Sequence, residues 1–189
     1  MHWLTFFSQW LRSPLRTASM VPSGRQLAEA MAAALPADAR QVIELGPGTG
    51  AITEALLDHQ PAIPHMLLVE MNAVLVELLQ NRYPDLPTVC ADARQLDAVV
   101  AATPGFESGQ VDAVVSSLGL LAMPEPLQHD ILAAAFAALK PGGVFIQYTY
   151  GFAHPVADAV CSRLGLICIS GRTAWLNLPP ARVFIYRRV

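Results

Sequence analysis

Short apolar runs alternate with helical patterns along most of the chain. Five mainly apolar segments, of the type that forms parallel strands buried on both faces, occupy residues 41–45, 66–70, 88–90, 111–116 and 144–150. Segments with helical periodicity lie between them, at 51–58, 72–82, 93–101 and 125–139. Regular alternation of strands and helices predicts an α/β fold built on a parallel sheet.

The C-terminal part of the chain departs from this alternation. A helix over 155–164 is followed by two apolar strands, near 166–170 and over 182–188, and only the turn Trp175–Pro180 separates them. So short a connection joins antiparallel strands, because a parallel pair needs a crossover of about a dozen residues or more. The sequence therefore predicts a seven-stranded, mostly parallel sheet with an antiparallel terminal hairpin.

Residues 2–18 form an amphipathic pattern ahead of the predicted domain. At about 100° per residue, the aromatic and leucine side chains fall on one half of the circumference, and Arg12 and Arg16 fall on the other half. The pattern is typical of a helix lying in a membrane interface, and it also fits a helix packed on the domain core. We expect an N-terminal segment, 1–20, and a domain, 21–189, whose first helix begins at Ser23.

Composition narrows the class of protein. The 189 residues are enough for one domain with a substantial core, and although 53% are hydrophobic, no apolar run reaches the ~20 residues needed to span a bilayer. The net charge of −3 argues against a general nucleic-acid binder. The cysteines fit neither a zinc site nor a redox pair, so we expect buried free thiols, and no cluster of His, Asp and Glu suggests a metal.

A glycine-rich turn follows the first predicted strand. Glu44 is followed by Gly46, Gly48 and Gly50, and a helical pattern begins at once. Glycine allows φ > 0 and lets a ligand approach the main chain, and the helix start offers free N–H groups. The last glycine comes one residue earlier than in the dinucleotide fingerprint. The spacing resembles the E-x-G-x-G-x-G loop of class I S-adenosylmethionine (SAM) methyltransferases, with Glu44 orienting the loop or facing the cofactor's cationic part.

Two acids follow the next two strands. Glu70 ends the second strand and is predicted to take both ribose hydroxyls, or else to cap the helix that follows. Asp92 follows the third strand and is predicted to bond the adenine amino group, or else to cap the next helix. The loop 116–123 lies where the strand order reverses, so it should face the transferred group. The full predicted cofactor set is Ser23, Glu44, Gly46, Gly48, Gly50, Thr53, Glu70, Met71, Asn72, Asp92, Ala93 and Ser116.

Nearly the whole chain resembles the bacterial phospholipid N-methyltransferases of the small soluble type. The pieces that carry the resemblance are 10–16, 21–25, 42–50, 134–143, 148–151 and 177–183, of which Tyr-Thr-Tyr-Gly and Asn-Leu-Pro-Pro-Ala-Arg-Val are the most selective. One departure is the loop after the fourth strand, which usually reads Ser-Gly-Leu-Pro-Leu-Leu in that family. Here 116–121 is Ser-Ser-Leu-Gly-Leu-Leu, which leaves the substrate range and the number of methyl transfers open.

The resemblance implies a Rossmann-like class I fold and methylation of phosphatidylethanolamine toward phosphatidylcholine, with S-adenosylhomocysteine as product. It implies Tyr148 and Asn177 at the amine site, and docking of the first helix on an anionic membrane at the cytoplasmic face, with no nucleic acid and no metal. Four aromatic residues could hold methylated ammonium or simply pack in the core: Tyr148, Tyr150, Phe152 and Trp175. Four arginines could meet the lipid phosphate or lie on a solvated edge: Arg172, Arg182, Arg187 and Arg188.

Four other functions compete with this one: methylation of another amine, methylation of ribosomal RNA adenine, SAM binding by a non-catalytic membrane adaptor, and an NAD oxidoreductase, which the glycine spacing disfavours. Adenine methyltransferases need an Asn/Asp-Pro-Pro-Tyr/Phe tetrad after the fourth strand, and 116–119 is not one. The complete glycine and carboxylate set argues against lost cofactor binding. His129 and His154 are expected to be surface residues and not bases.

Overall fold

A computed structural model describes residues 23–59, 63–150, 153–175 and 180–189. The predicted amphipathic helix over 2–18, and with it the 1–20 segment, lies outside the described residues, as do Phe152 and Asn177. Within the described ranges, no helix is both long enough and apolar enough to cross a membrane.

The described chain alternates strands and helices as predicted. The strands are β1 (Gln41–Leu45), β2 (His65–Glu70), β3 (Thr88–Cys90), β4 (Val111–Ser116), β5 (Leu139–Tyr150), β6 (Leu166–Ala174) and β7 (Ala181–Arg188). The α-helices are α1 (Ser23–Ala32), α2 (Ala51–His59), α3 (Ala73–Arg82), α4 (Leu96–Ala102), α5 (Glu125–Ala138) and α6 (Asp158–Leu164). Short 3-10 turns occupy Ala93–Gln95 and Leu120–Ala122.

The strands form one sheet in the order β3-β2-β1-β4-β5-β7-β6. Strands β1 to β5 pair in parallel, and β7 is antiparallel to both β5 and β6. The α/β prediction, including the antiparallel terminal hairpin, is confirmed. Because β1 lies between β2 and β4, the strand order reverses there, and ligands of open α/β sheets bind at the carboxyl ends of strands at such a point.

The two faces of the sheet carry separate apolar clusters, as expected for buried strands covered by helices. On one face, α1, α2 and α3 contribute Met31, Leu56 and Leu79 to a cluster with the strand residues Val115 and Ile146. The other face packs against α4, α5 and α6, through residues that include Val99, Phe136 and Val160. Neighbouring residues on one strand therefore pack into different apolar layers. This alternation decides which layer each polar residue of β5 enters.

Three details differ from the sequence predictions. Helix α1 ends at Ala32, before the predicted end near Leu35, and β6 continues past 170 to Ala174, with a register shift between Ser170 and Thr173. Strand β5 begins at Leu139, so the predicted tight turn 140–143 lies within the strand, at a register shift against β4.

The cysteines are free, but they are not the buried thiols that we expected. Cys90 and Cys168 are exposed and Cys161 is half-buried. The reason lies in the strand order, because β3 and β6, which carry the exposed pair, are the two edge strands of the sheet.

Candidate functional site

The glycine turn joins β1 to α2 in the left-handed geometry that its composition predicts. Gly46, Gly48 and Gly50 have φ values of 67°, 59° and 87°. A side chain at Gly46 would meet Leu118 Cδ2 at 2.8 Å, whereas a side chain at Gly48 would meet nothing within 4 Å. Gly46 is thus packed against the loop after β4, and Gly48 presents bare main chain to open space, where a ligand can approach it.

Residues at the end of α3 hold this turn in place. Arg82 Nη1 donates to the Thr49 carbonyl at 2.9 Å, and the same guanidinium pairs with Glu54 at 2.5 Å. The Tyr83 hydroxyl donates to the Gly50 carbonyl at 3.1 Å. Neither bracing residue was predicted, because both are more than 30 positions from the loop and no local motif marks them.

The buried Glu44 is hydrogen-bonded to the helix that follows the turn. Its side chain is fully buried, and Oε2 accepts a hydrogen bond from Thr53 Oγ1 at 2.7 Å. Burial raises the pKa of Glu44 to about 8, against the opposing effect of the Thr53 hydrogen bond. Its Oε1 is buried with no hydrogen-bond partner in the described part of the chain.

Glu70 links the end of β2 to the glycine turn. Its Oε2 accepts from the Gly48 N–H at 3.2 Å and its Oε1 accepts from the Asn72 N–H at 2.9 Å. Asn72, and not Glu70, caps α3, since its Oδ1 accepts from the Val74 N–H at 3.0 Å. A carboxylate has about four acceptor positions, so Glu70 keeps capacity for two hydroxyl donors beside the open face of Gly48.

Asp92 caps the turn after β3, which is the alternative to adenine binding. Its carboxylate accepts from the Arg94 N–H at 2.9 Å and pairs with the Arg94 guanidinium at 2.7 Å. These hydrogen bonds lower the pKa of Asp92. The carboxylate is therefore already engaged, and an adenine amino group would have to share it.

The remaining cofactor candidates lie around the same carboxyl edge of the sheet. Met71 is 72% exposed directly after β2, Ala93 begins the 3-10 turn after β3, and Ser23 begins α1. Ser116 ends β4, is fully buried, and accepts from the Leu118 N–H at 3.3 Å. Together with the Gly46–Leu118 packing, this brings the β1 turn and the β4 loop into one site.

Tyr148 lies near the end of β5 on the layer of α1 and α2, where its ring packs edge-on against Tyr150 with centroids 5.7 Å apart. Burial, and then the neighbouring Tyr150, raises the pKa of Tyr148 far above its ordinary value. The hydroxyl is therefore protonated at neutral pH, so it can donate or accept a hydrogen bond but is not a phenolate base.

Two buried glutamines near the β4 loop were not predicted. Gln147 Nε2 donates to the carbonyls of Leu118 at 2.9 Å and Tyr148 at 2.8 Å. Gln128 Nε2 donates to the Leu120 carbonyl at 2.8 Å, and its Oε1 accepts from the Ala157 N–H at 2.8 Å. A lone glutamine within the apolar run of β5 is the one sequence signal that could have drawn attention to Gln147.

The arginines of the hairpin differ in their surroundings. Arg172 and Arg187 are exposed, and Arg188 lies over the Phe136 ring at 5.3 Å. Arg182 is half-buried, with its guanidinium 5.8 Å from the centre of the Phe184 ring.

The two candidate histidines pair with neighbouring acids. His129 pairs with Asp130 at 3.3 Å, and His154 pairs with Asp158 at 3.1 Å. His154 also packs edge-on against Phe184, so it is less of a surface residue than predicted. The described residues contain no group of three or more His, Cys, Asp or Glu that could hold a metal.

Comparisons with known proteins agree with this geometry. The family profile described as "Methyltransferase domain" matches residues 42–143. The chain is 30% identical over 148 residues to the ornithine lipid N-methyltransferase of Singulisphaera acidiphila, a match that covers 76% of each chain. A shorter match, 42% identical over 65 residues, covers 34% of this chain and 22% of ribosomal RNA small subunit methyltransferase A of Cupriavidus pinatubonensis.

The fold is also that of solved methyltransferases. Magnesium protoporphyrin IX methyltransferase from Synechocystis PCC 6803, solved with bound SAM, superposes with a TM-score of 0.67 at 13% identity, over 98% of this chain and 92% of that one. The chain therefore belongs to the methyltransferase domain family, within the class I methyltransferases whose cofactor is S-adenosylmethionine.

Proposed function

We propose that this protein methylates the head-group amine of a zwitterionic membrane lipid, with phosphatidylethanolamine and its partly methylated forms as the main candidates, toward phosphatidylcholine. The observation that carries the proposal is the match to a lipid N-methyltransferase over 76% of both chains. Ornithine lipid and phosphatidylethanolamine both present an amine close to an anionic group, so a site for one has the chemistry for the other.

The cofactor set fits a nucleoside with adjacent hydroxyl groups. In the proposed complex, the remaining lone pairs of Glu70 accept hydrogen bonds from both ribose hydroxyls. Gly48 lies against the cofactor with no side chain between them. Asp92 shares its carboxylate between Arg94 and the adenine amino group. The rest of the proposed set surrounds these contacts: Ser23, Glu44, Gly46, Gly50, Thr53, Met71, Asn72, Ala93 and Ser116.

SAM supplies a methyl group on a positively charged sulfur, and its transfer to an amine forms a C–N bond as the C–S bond breaks and releases one proton. The protein aligns the reacting groups and excludes water. We assign Tyr148 and Asn177 to the amine site, where the protonated Tyr148 hydroxyl lines the site from the layer of α1 and α2 and can hydrogen-bond the head group. The amine attacks in its neutral form, since an ammonium ion has no lone pair.

Membrane contact is the second part of the proposal, at the inner face of the cytoplasmic membrane. Met71, Leu121 and Trp175 are 72%, 56% and 65% exposed, and they follow β2, β4 and β6 at the carboxyl edge of the sheet. Apolar side chains at this edge, together with the amphipathic segment 1–20, would let the site face a bilayer. Each fully buried large apolar side chain contributes ~1.5–3 kcal/mol, and Arg12 and Arg16 add about 1 kcal/mol each near anionic lipid.

Incubation with methyl-labelled SAM tests the activity. We expect label in lipid when vesicles of phosphatidylglycerol contain phosphatidylethanolamine or ornithine lipid, and none in a ribosomal RNA fragment. Label in the RNA alone would favour the rRNA adenine function, which the 65-residue match supports. SAM binding at normal affinity with no label in any lipid or RNA would favour the non-catalytic adaptor.

Vesicle flotation tests the membrane contact separately. Deleting residues 1–13 should abolish flotation with phosphatidylglycerol vesicles and activity on bilayer lipid, while detergent-dispersed lipid remains a substrate. A truncated protein that floats as well as the intact chain would show that the segment belongs to the domain core.

A further inference from the structure

A polar cluster interrupts the apolar layer between the C-terminal strands and helices α5 and α6. Gln147 and Thr149 on β5 are 1% and 5% exposed, and they are the direct register partners of Phe184 and Arg182 on β7. Gln147 and Thr149 alternate with Phe145, which belongs to that apolar layer, so they share its face of the sheet.

Phe184 lies at the centre of this cluster. The Arg182 guanidinium lies over its ring at 5.8 Å, and the His154 ring packs edge-on against it with centroids 6.4 Å apart. The four polar residues of the cluster are Gln147, Thr149, His154 and Arg182, of which Arg182 and His154 contact the Phe184 ring.

Three atoms of this cluster are buried without a hydrogen-bond partner among the described residues: Gln147 Oε1, His154 Nδ1 and Arg182 Nε. The amide of Gln147 cannot be turned around, because its nitrogen donates to two carbonyl oxygens. The cluster therefore offers one acceptor of fixed direction. A buried polar atom without a partner is costly, so a ligand that completed these hydrogen bonds would gain affinity from them.

The unpartnered atoms determine which groups a ligand would need in order to bind here. Gln147 Oε1 would accept from an N–H donor, and the half-buried Arg182 guanidinium suits an anion, best an oxyanion that accepts two parallel hydrogen bonds. Gln147 is the register partner of Ser116, and its amide holds the Leu118 carbonyl, so the acceptor end of the cluster adjoins the loop that packs on Gly46. The donor end lies one strand further from the cofactor turn.

We propose that this cluster is the head-group site, in which Gln147 Oε1 accepts an N–H of the amine to be methylated and Arg182 holds the anionic oxygen atoms of the same head group. The inference rests on the proposed lipid amine activity and adds to it the recognition of a zwitterion. The anion is a phosphodiester in phosphatidylethanolamine and a carboxylate in ornithine lipid, and the guanidinium suits both.

The test compares Arg182→Gln with Arg187→Gln, an exposed arginine of the same strand. Initial rates are measured on phosphatidylcholine vesicles that contain phosphatidylethanolamine, ornithine lipid or octadecylamine, which has the amine without the anion. We expect Arg182→Gln to lower kcat/KM roughly 10- to 100-fold on a zwitterionic lipid, the range for a charged hydrogen bond. Its effect on octadecylamine should stay within about threefold, and Arg187→Gln should change neither.

The outcomes separate the two proposals. Wild-type turnover on either lipid tests the proposed function by itself, and its absence overturns both proposals. Equal loss on lipid and on octadecylamine, or no loss on lipid, overturns only the zwitterion site. The lipid on which Arg182→Gln loses more kcat/KM identifies the anion that Arg182 binds. A wild-type enzyme that methylates the lipids but not octadecylamine also supports recognition of the anion.

Two further variants guard against misfolding. SAM affinity reports whether Arg182→Gln retains the fold, and Arg182→Lys, which keeps the charge but not the bidentate geometry, should show a smaller loss with the same preference for zwitterions. Gln147→Met should lower rates on all three amines with SAM affinity retained. Unchanged rates in a folded Gln147→Met protein would overturn the role of Gln147.

Discussion

The two halves of the carboxyl edge of the sheet differ in how their polar groups are satisfied. In the cofactor half, after β1, β2 and β3, the carboxylates of Glu70 and Asp92 each hold backbone N–H groups, and Arg82 braces the glycine turn. In the acceptor half, after β4 and β5, Gln147 and Arg182 leave buried atoms unpaired in the described chain.

This difference indicates how each half meets its ligand. The cofactor half is preformed and fixed by contacts within the protein, so a ligand adds hydrogen bonds to groups that are already held in place. The acceptor half contains buried groups that a ligand of matching chemistry would satisfy. We expect mutations in the first half to change SAM affinity, and mutations in the second half to change turnover and lipid choice.

The strongest expected effect is on the preformed half. Gly48→Val should abolish SAM binding, because a branched side chain would occupy the open space beside the turn. Gly109→Val is the matched control, since Gly109 also has positive φ, of 76°, and open space around it. Isothermal titration should show no SAM binding for the first variant and normal binding for the second, whereas equal loss in both would mean that backbone strain alone is responsible.

The next effect concerns the one exception in the cofactor half, the buried Glu44. Its pKa is about 8 in the folded protein against 4.5 ordinarily, so between these values the folded state binds the additional proton. The free energy of unfolding should therefore fall as pH rises from 5 to 8, by a few kcal/mol at about 1.4 kcal/mol per unit of pKa.

Glu44→Gln removes this titration while its amide oxygen can still accept from Thr53. Urea unfolding at several pH values should show a shallower slope for the variant than for the wild type. Parallel slopes would mean that Glu44 is ionised in the folded protein at neutral pH.

Glu70→Ala should weaken SAM binding by ~1.5–3 kcal/mol, the range for hydrogen bonds to a charged group. Titration calorimetry measures this loss, with Glu77→Ala, an exposed acid on α3, as the control. Unchanged affinity in a folded Glu70→Ala protein would leave the carboxylate a purely structural link between β2 and the glycine turn.

The smallest effect lies in the acceptor half. Tyr148→Phe should lower turnover by the equivalent of one neutral hydrogen bond, ~0.5–1.5 kcal/mol or about 2- to 12-fold, and leave SAM affinity intact. Steady-state rates on phosphatidylethanolamine vesicles measure this effect. Wild-type turnover in Tyr148→Phe would show that the tyrosine hydroxyl does not belong to the amine site.

The cofactor half could be predicted from sequence because its determinants are local. Glu44 and the three glycines lie within seven residues, and Glu70 ends an apolar run, so strand, turn and carboxylate follow from short patterns. Even there, the sequence could not predict that Asp92 pairs with Arg94, because an aspartate is favoured both as a helix cap and as a ligand contact.

The acceptor half could not be predicted in the same way. Gln147 acquires its role only when β5 pairs with β4 on one side and β7 on the other, partners 31 and 37 positions away for Ser116 and Phe184. Arg182 could not be separated from Arg187 by sequence, because both lie on the same strand and only packing buries one of them. Position on a sheet face is a tertiary property, and no local spacing encodes it.

The division between the two halves is tested most directly by making the same two measurements on one variant from each half. SAM affinity by calorimetry and kcat/KM on phosphatidylethanolamine vesicles at saturating SAM would be determined for Glu70→Ala and Arg182→Gln. We predict that Glu70→Ala loses SAM affinity and keeps most of its lipid turnover, while Arg182→Gln keeps SAM affinity and loses lipid turnover. If Arg182→Gln weakened SAM as much as Glu70→Ala does, the two halves would not be separate sites and the account would be contradicted.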